Sequence, residues 1–169
     1  KNKILSTGYH QKFGGEHAEI KAIKGLKTPA KNATLYVTLE PCAHFGKTNP
    51  CTDLISPNLF DRVVIAAKDP NPKSLRGIDI INSKNIKVEV GVCEKESKNI
   101  NRRFFTYFEK KRPYVILKIA STLDGFIAEM DGHSKWITNK ESRKSSHRLR
   151  SSCQALLVGN NTLVKDNPS

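Results

Sequence analysis

The apolar run within "DRVVIAAKD", residues 61–69, constrains the fold more than any other part of the chain. Its β-branched and small apolar residues follow one another without polar alternation. This pattern is typical of a β-strand that is covered on both faces, as in a parallel sheet between two layers of helices. The run therefore predicts a layered α/β fold.

The segments around this run alternate between helical and strand patterns. Apolar residues recur at helical spacing in "EHAEIKAIKGLK" (16–27), and "ATLYVTLE" (33–40) alternates apolar and polar residues as a strand does. We further expect strand character at 1–9, a short helix at 78–82, a strand in "IKVEVGV" (86–92) and a polar helix at 94–112. Alternating strands and helices favour an α/β architecture over a helical bundle or a β-sandwich.

A second unit is predicted to begin after a boundary near residues 110–113. Its pattern indicates a strand at 114–121, a helix at 140–153 and a strand in "QALLVG" (154–159). Two strands and one helix cannot bury a core of their own. The sequence also begins within a predicted strand. We therefore expect both ends of the sequence to be cut, so that the chain is a piece of a longer protein.

The net charge of +13 raises the hypothesis of nucleic-acid binding. The basic residues are spread along the chain, and the aromatic residues (7%) do not alternate with them as a base-stacking surface requires. A solvated basic surface is favoured, and it suits a phosphorylated substrate. The apolar runs are too short to cross a bilayer and no signal peptide is visible, so the sequence predicts a cytoplasmic protein without a membrane partner.

Four cysteines allow two disulfides, but disulfides are uncommon in cytosolic proteins and cysteines near a histidine more often bind metal. His17, Cys42 and Cys51 offer one imidazole and two thiolates, which suit zinc and leave one tetrahedral position open for water. Zinc lowers the pKa of that water to roughly 7. Cys93 and Cys153 have no such neighbours and are predicted to be small buried apolar residues.

Glu19 lies two residues after His17, where it is poorly placed to bind the same ion but well placed to carry protons. The order H-x-E, P-C and a further Cys is the signature of zinc deaminases that act on nucleosides and bases. Here eight residues, rather than two, separate Cys42 from Cys51. The combination predicts hydrolytic deamination.

Longer segments carry a more specific resemblance: "GYHQKFGGEHAE", "LYVTLEPCAHFGKTNPC" and "VVIAAKDPNP" in the first unit, and "KIASTLDG", "SKWIT" and "HRLRSSCQALLVGNNTLVKDNP" in the second. Through them the chain resembles the bifunctional deaminase–reductases of riboflavin biosynthesis over nearly its whole length. The resemblance implies a three-layer α/β/α cytidine-deaminase-like domain at 1–110, without its N-terminal part. It also implies the truncated start of an α/β reductase domain, similar to dihydrofolate reductase, at 111–169.

The implied reaction is zinc-dependent deamination of 2,5-diamino-6-(5-phosphoribosylamino)pyrimidin-4-one, coupled to NADPH-dependent reduction of the ribosyl group to ribityl. The resemblance assigns zinc to His17, Cys42 and Cys51, and proton transfer to Glu19. It places the following residues at the substrate: His10, His44, Lys47, Asp69, Asn71, Lys118, Ser134, Trp136, Arg150 and Asp166. It also places Thr138 at the nucleotide. The expected partner is a small phosphorylated pyrimidine, without nucleic acid or membrane, and we expect a homo-oligomer.

Three alternatives remain open from the sequence, one of which is that the chain folds but is inactive. A closed structural zinc site would need His44 as a fourth ligand, and it would suit a basic nucleic-acid-binding module. A deaminase of tRNA or of free cytidine or adenosine would share the zinc signature. The eight-residue cysteine spacing, Lys47 and the second unit argue against this last alternative.

Overall fold

The computed structural model describes residues 3–28, 30–74 and 76–167. The chain divides into two compact units, Lys1–Tyr114 and Val115–Ser169. The sequence places the boundary near residues 110–113, and the domain assignments stay predictions. Within the described residues, no helix combines the length and the apolar composition that a membrane span requires.

The first unit contains three strands and five helices among its described residues. In chain order they are α1 (Ala18–Lys24), β1 (Ala33–Leu39), α2 (Cys51–Leu54), β2 (Phe60–Ala67), α3 (Gly77–Ser83), β3 (Lys87–Val90), α4 (Glu94–Ile100) and α5 (Arg102–Lys110). The strands form one parallel sheet in the order β1-β2-β3. Val63 in the central strand pairs with Leu35 on one side and with Val88 on the other.

The central strand β2 is covered on both faces. On one face, Val63 and Ile65 are fully buried in a cluster that includes Ile55 and Ile81 from the helical side. On the other face, Val64 is 3% exposed. Helix α4 packs against β1 and β2. The parallel sheet with helices packed against it confirms the predicted three-layer α/β fold. The apolar burial on both faces of β2 stabilises this arrangement.

The expected strand at residues 1–9 is wrong for its described part, residues 3–9, which form neither strand nor helix. Gly8 shows the physical reason, because a Cβ atom added to it would lie 2.1 Å from the carbonyl oxygen of Ala18. This segment packs closely against α1 and makes no strand ladder.

Two further details of the first unit differ from expectation. The predicted helix at 94–112 is two helices, α4 and α5, that meet at Asn101. Cys93 is exposed rather than buried, since it precedes α4 at the surface with a positive φ of 56°. Cys153, in the second unit, is half-buried.

The second unit contains helices α6 (Lys140–Ser151) and α7 (Asn160–Asp166), of which only α6 is predicted. The strands expected at 114–121 and 154–159 are absent from the described residues. A strand persists only when a neighbour satisfies its backbone groups, and here Leu117 and Leu157 are 81% and 100% exposed. No described residue from 115 to 167 is buried, in agreement with the prediction that this unit lacks a core.

Candidate metal centre

Helix α1 brings a histidine and a glutamate to one end of the first unit. His17 is the N-cap residue of α1, with extended backbone, and Glu19 is in the first turn. Gly15 closes the preceding turn by donating its N–H to the Lys12 carbonyl over 2.9 Å. The turn places His10 beside His17, with 5.7 Å between their ring centroids.

The two cysteines come from the carboxyl end of β1 and from the start of α2. Cys42 follows β1 after Glu40 and Pro41, and Cys51 is the first residue of α2. The N–H of Cys51 donates to the Cys42 sulfur over 3.4 Å, and the N–H of Thr52 donates to the Cys42 carbonyl over 3.3 Å. These bonds close the loop between the cysteines, so that both thiols face the same point.

Three donor atoms converge there. His17 Nδ1 lies 3.2 Å from Cys51 Sγ and 3.5 Å from Cys42 Sγ. Zn–S and Zn–N bonds of ordinary length in a tetrahedron would separate nitrogen from sulfur by about 3.6 Å. The donor set and its spacing therefore fit a zinc ion with three protein ligands.

His44 and Glu19 lie outside this cluster. The histidine, cysteine and acidic residues of the described chain that could hold a metal together are His17, Cys42 and Cys51. A closed four-ligand site that uses His44 is therefore not what the geometry favours. Three protein donors leave a fourth position, which is the arrangement of catalytic zinc sites.

The hydrogen bonding within the cluster already favours one thiolate. The hydrogen bond from the Cys51 thiol lowers the pKa of Cys42 to about 5. The same bond, together with burial, raises the pKa of Cys51. The hydrogen bonding therefore favours the thiolate form of Cys42, which is the form that binds a metal.

Glu19 has a different electrostatic character. Burial is the largest influence on its carboxyl group and raises its pKa above the ordinary value. A raised pKa brings a carboxyl group closer to the range in which it both accepts and releases a proton near neutral pH.

A cavity of about 190 Å³ adjoins the cluster. Its lining includes His17 and Cys42 together with three of the predicted substrate residues, His10, His44 and Lys47. Nδ1 of His44 is buried and finds no hydrogen-bond partner within the described part of the chain. The Lys47 ammonium lies 4.1 Å from the centre of the exposed Phe13 ring. The cavity lining thus includes the His44 imidazole and the Lys47 ammonium group.

Asp69 and Asn71 do not line this cavity. Asp69 Oδ1 accepts a hydrogen bond from the Asn71 N–H over 2.8 Å, and Asn71 Oδ1 accepts one from the Lys73 N–H. Their side chains therefore stabilise a turn here, and their contact with a substrate stays a prediction.

The predicted residues of the second unit are only partly brought together. Ser134 and Trp136 line a cavity of about 900 Å³ formed by residues 122–137. The Thr138 carbonyl accepts a hydrogen bond from Arg143, whose guanidinium lies 4.2 Å from the Trp136 ring centre. Three others do not line this cavity: Lys118, Arg150 and Asp166.

Sequence reasoning missed Glu40. This carboxylate is 5% exposed and accepts hydrogen bonds from the N–H groups of Asp69 and Ile78. A signal for it was present, because an acidic residue stands directly between a core strand and the Pro41–Cys42 pair.

Two family models match the chain. Residues 1–67 match the cytidine and deoxycytidylate deaminase zinc-binding region, which contains His17, Cys42 and Cys51. Residues 113–169 match the RibD C-terminal domain.

Individual proteins show the same similarity along almost the whole chain. Riboflavin biosynthesis protein RibD of Aquifex aeolicus is 53% identical over 167 residues, which are 98% of this chain and 47% of that protein. The Escherichia coli RibD is 38% identical over 168 residues, 99% of this chain and 45% of that protein. The chain thus spans about half the length of the curated relatives it matches.

Solved structures agree with this similarity. A diaminohydroxyphosphoribosylaminopyrimidine deaminase/5-amino-6-(5-phosphoribosylamino)uracil reductase from Thermotoga maritima is 48% identical, with a TM-score of 0.89 over 97% of this chain and 48% of that one. RibD from Acinetobacter baumannii is 39% identical, with a TM-score of 0.89 over 97% of this chain and 46% of that one. Sequence, fold and metal-site geometry together show that the chain belongs to the RibD family of riboflavin biosynthesis proteins.

Proposed function

We propose that the first unit is a zinc-dependent hydrolase that deaminates 2,5-diamino-6-(5-phosphoribosylamino)pyrimidin-4-one. The observation that carries this proposal is the convergence of the ligand atoms of His17, Cys42 and Cys51 within 4.8 Å of one another. They adjoin a cavity whose lining includes the cationic side chain of Lys47. The relatives named above support the substrate, because the Thermotoga protein is a diaminohydroxyphosphoribosylaminopyrimidine deaminase. The proposal extends to the whole protein, in which an NADPH-dependent reductase would act on the product.

The proposed reaction replaces one amino group of the pyrimidine with oxygen. His17, Cys42 and Cys51 would hold a zinc ion, which when bound would act as the Lewis acid that activates water. Glu19 accepts a proton as water attacks the carbon of the amidine group. It returns the proton to the departing nitrogen, so that a C–O bond forms, the C–N bond breaks and ammonia leaves. The position of Glu19 in the first turn of α1, two residues after the proposed ligand His17, suits this transfer.

The remaining cavity residues are proposed to hold the substrate. His44, whose ring lines the cavity, offers its imidazole to the pyrimidine ring or the sugar. Lys47 offers its ammonium to the ribose phosphate, and His10, held through Nδ1 by the Glu16 carbonyl over 3.1 Å, lies beside them. Asp69 and Asn71 keep their proposed substrate role through the family resemblance alone.

For the second unit we propose that Lys118, Ser134, Trp136, Arg150 and Asp166 contact the reductase substrate and that Thr138 contacts NADPH. The match of residues 113–169 to the RibD C-terminal domain supports this proposal. The expected homo-oligomer and the cytoplasmic location also stay predictions.

The assignment of the metal ligands predicts the zinc content of single cysteine variants. Cys42→Ser and Cys51→Ser should each lose most of the bound zinc, because a neutral hydroxyl replaces a thiolate in a site of three protein ligands. Zinc in the purified protein, measured by mass spectrometry, should fall well below the expected value of about one ion per chain. Cys93→Ser is the control and should keep its zinc, and a Cys42→Ser variant with full zinc would contradict the assignment.

The role of Glu19 predicts a separation of metal binding from catalysis. Glu19→Gln should keep its zinc but lose roughly 10²–10⁴-fold in turnover, because an amide cannot carry the proton. Ammonia release from the diaminopyrimidine phosphate measures the loss. Glu16→Gln, the same change three residues earlier, should keep parental activity, whereas near-parental turnover in Glu19→Gln would show that the mechanism is wrong.

The role of Lys47 predicts an effect that depends on the phosphate. Lys47→Ala should raise KM for the phosphorylated substrate roughly 10- to 100-fold, because a hydrogen bond to a charged group contributes about 1.5–3 kcal/mol. KM for a dephosphorylated analogue should change little. Lys12→Ala, in the neighbouring turn, is the control, and an equal rise in KM for both substrates would mean that Lys47 does not contact phosphate.

A further inference from the structure

Both cysteine-bearing segments are tied to one short stretch of chain that contains no metal ligand. This stretch is helix α3 together with the lysine that follows it, residues 77–84, and it is called the α3 bracket below. One end of the bracket is bonded to the segment before Cys42, and the other end is bonded to the helix that begins at Cys51. The bracket therefore connects the two cysteine-bearing segments by hydrogen bonds that do not involve the cysteines themselves.

The first tie is the buried carboxylate of Glu40, two residues before Cys42. Glu40 Oε1 accepts the N–H of Ile78 in the first turn of α3 over 3.1 Å. Oε2 accepts the N–H of Asp69 over 3.3 Å, and the Glu40 N–H itself donates to the carbonyl of Ala67. Glu40 thus joins the exit of β1, the exit of β2 and the start of α3.

Close packing makes this tie short and rigid. A Cβ atom added to Gly77 would lie 2.0 Å from the Pro41 carbonyl oxygen and 3.2 Å from Cγ of Glu40. Only glycine allows α3 to begin against the Pro41 peptide. The residue next to Cys42 is therefore fixed both by a hydrogen bond and by steric contact.

The second tie is Lys84, directly after α3. Its ammonium donates to the carbonyl of Thr52 over 2.6 Å and to that of Ile55 over 3.0 Å. These carbonyls belong to α2 and to the residue that ends it, and a cation at a helix C-terminus satisfies such groups. Cys51 begins the same four-residue helix and is fully buried, so that Lys84 holds the helix from the end opposite to Cys51.

We propose that Glu40 and Lys84 are positioning residues for the metal centre, which act through the α3 bracket to fix the separation of the Cys42 and Cys51 sulfurs. The inference rests on the proposed zinc site. Neither side chain belongs to the metal-binding cluster. They hold the two thiolates at binding distance before the metal ion binds. Metal binding then does not have to supply the conformational entropy cost of ordering the loop between the cysteines.

The test compares metal affinity in Glu40→Gln and Lys84→Met, made in the intact protein. Glu40→Gln keeps the shape of the side chain but sets an amide N–H₂ against backbone N–H groups. Lys84→Met keeps most of the stem and removes the donor. Each variant should lose roughly 10- to 100-fold in zinc affinity, the range typical of residues that orient metal ligands. Competition with a chelating dye measures zinc affinity, and the visible absorption of the Co²⁺ form reports thiolate ligation.

Two controls separate positioning from a general loss of stability. Phe105→Leu disturbs a buried residue of α5, and Lys87→Met repeats the lysine substitution at an exposed site in β3. Urea unfolding of the metal-free proteins ranks their stability. Zinc affinity should be unchanged in both controls, even where Phe105→Leu is as destabilised as Glu40→Gln.

Two results would overturn the inference. One is zinc affinity within about twofold of the parent in both Glu40→Gln and Lys84→Met, well short of the expected loss. The other is an equal loss of affinity in Phe105→Leu. These zinc affinities are measured without substrate, so they test only the positioning role of Glu40 and Lys84. Absence of deamination in the zinc-loaded parent protein would instead contradict the proposed function.

Discussion

Two cysteine sulfurs and one imidazole nitrogen can share a metal ion only if three separate segments end at the same place. Cys42 comes from the carboxyl-end edge of the parallel sheet, next to the end of β2, while Cys51 and His17 come from the first residue of α2 and the N-cap of α1. Cys42 follows β1 at this edge, and the Glu40 N–H makes the adjoining bond to Ala67. The metal centre thus depends on a sheet whose central strand is buried on both faces.

Near this edge of the sheet, the pKa values of the Cys42 thiol and of the Glu19 carboxyl group are shifted by different causes. The cysteine pair favours a thiolate on Cys42, where a cation can be held. Glu19 is close enough to the pair to respond to it, and burial raises its pKa. Two neighbouring environments therefore shift their groups in opposite directions, as the proposed roles of metal ligand and proton carrier require.

The sequence predicts those parts of the structure that are determined locally. The alternation in residues 33–40 and the apolar run in 61–69 predict β1 and β2, and the H-x-E and P-C pattern predicts the cluster of His17, Cys42 and Cys51. By contrast, the strands expected in the second unit are wrong, because an apolar segment forms a strand only where a partner satisfies its backbone.

Contacts between distant residues were beyond the reach of local patterns. Glu40 bonds Ile78 across 38 positions, and Lys84 bonds Thr52 across 32. Nothing in the spacing of either residue indicates its partner. Similarly, Asp69 and Asn71 match a family motif, yet their side-chain oxygens here accept hydrogen bonds from backbone N–H groups within their own turn.

The proposed deaminase activity depends on a zinc ion bound by His17, Cys42 and Cys51 at this edge of the sheet. The most direct measurement follows zinc content and ammonia release together in the intact protein, with the diaminopyrimidine phosphate as substrate, before and after chelation and again after zinc is restored. Ammonia release should be lost with the metal and return in proportion to the zinc taken up. Ammonia release that continues at the same rate without zinc, or a zinc-loaded protein that releases none, would contradict the account.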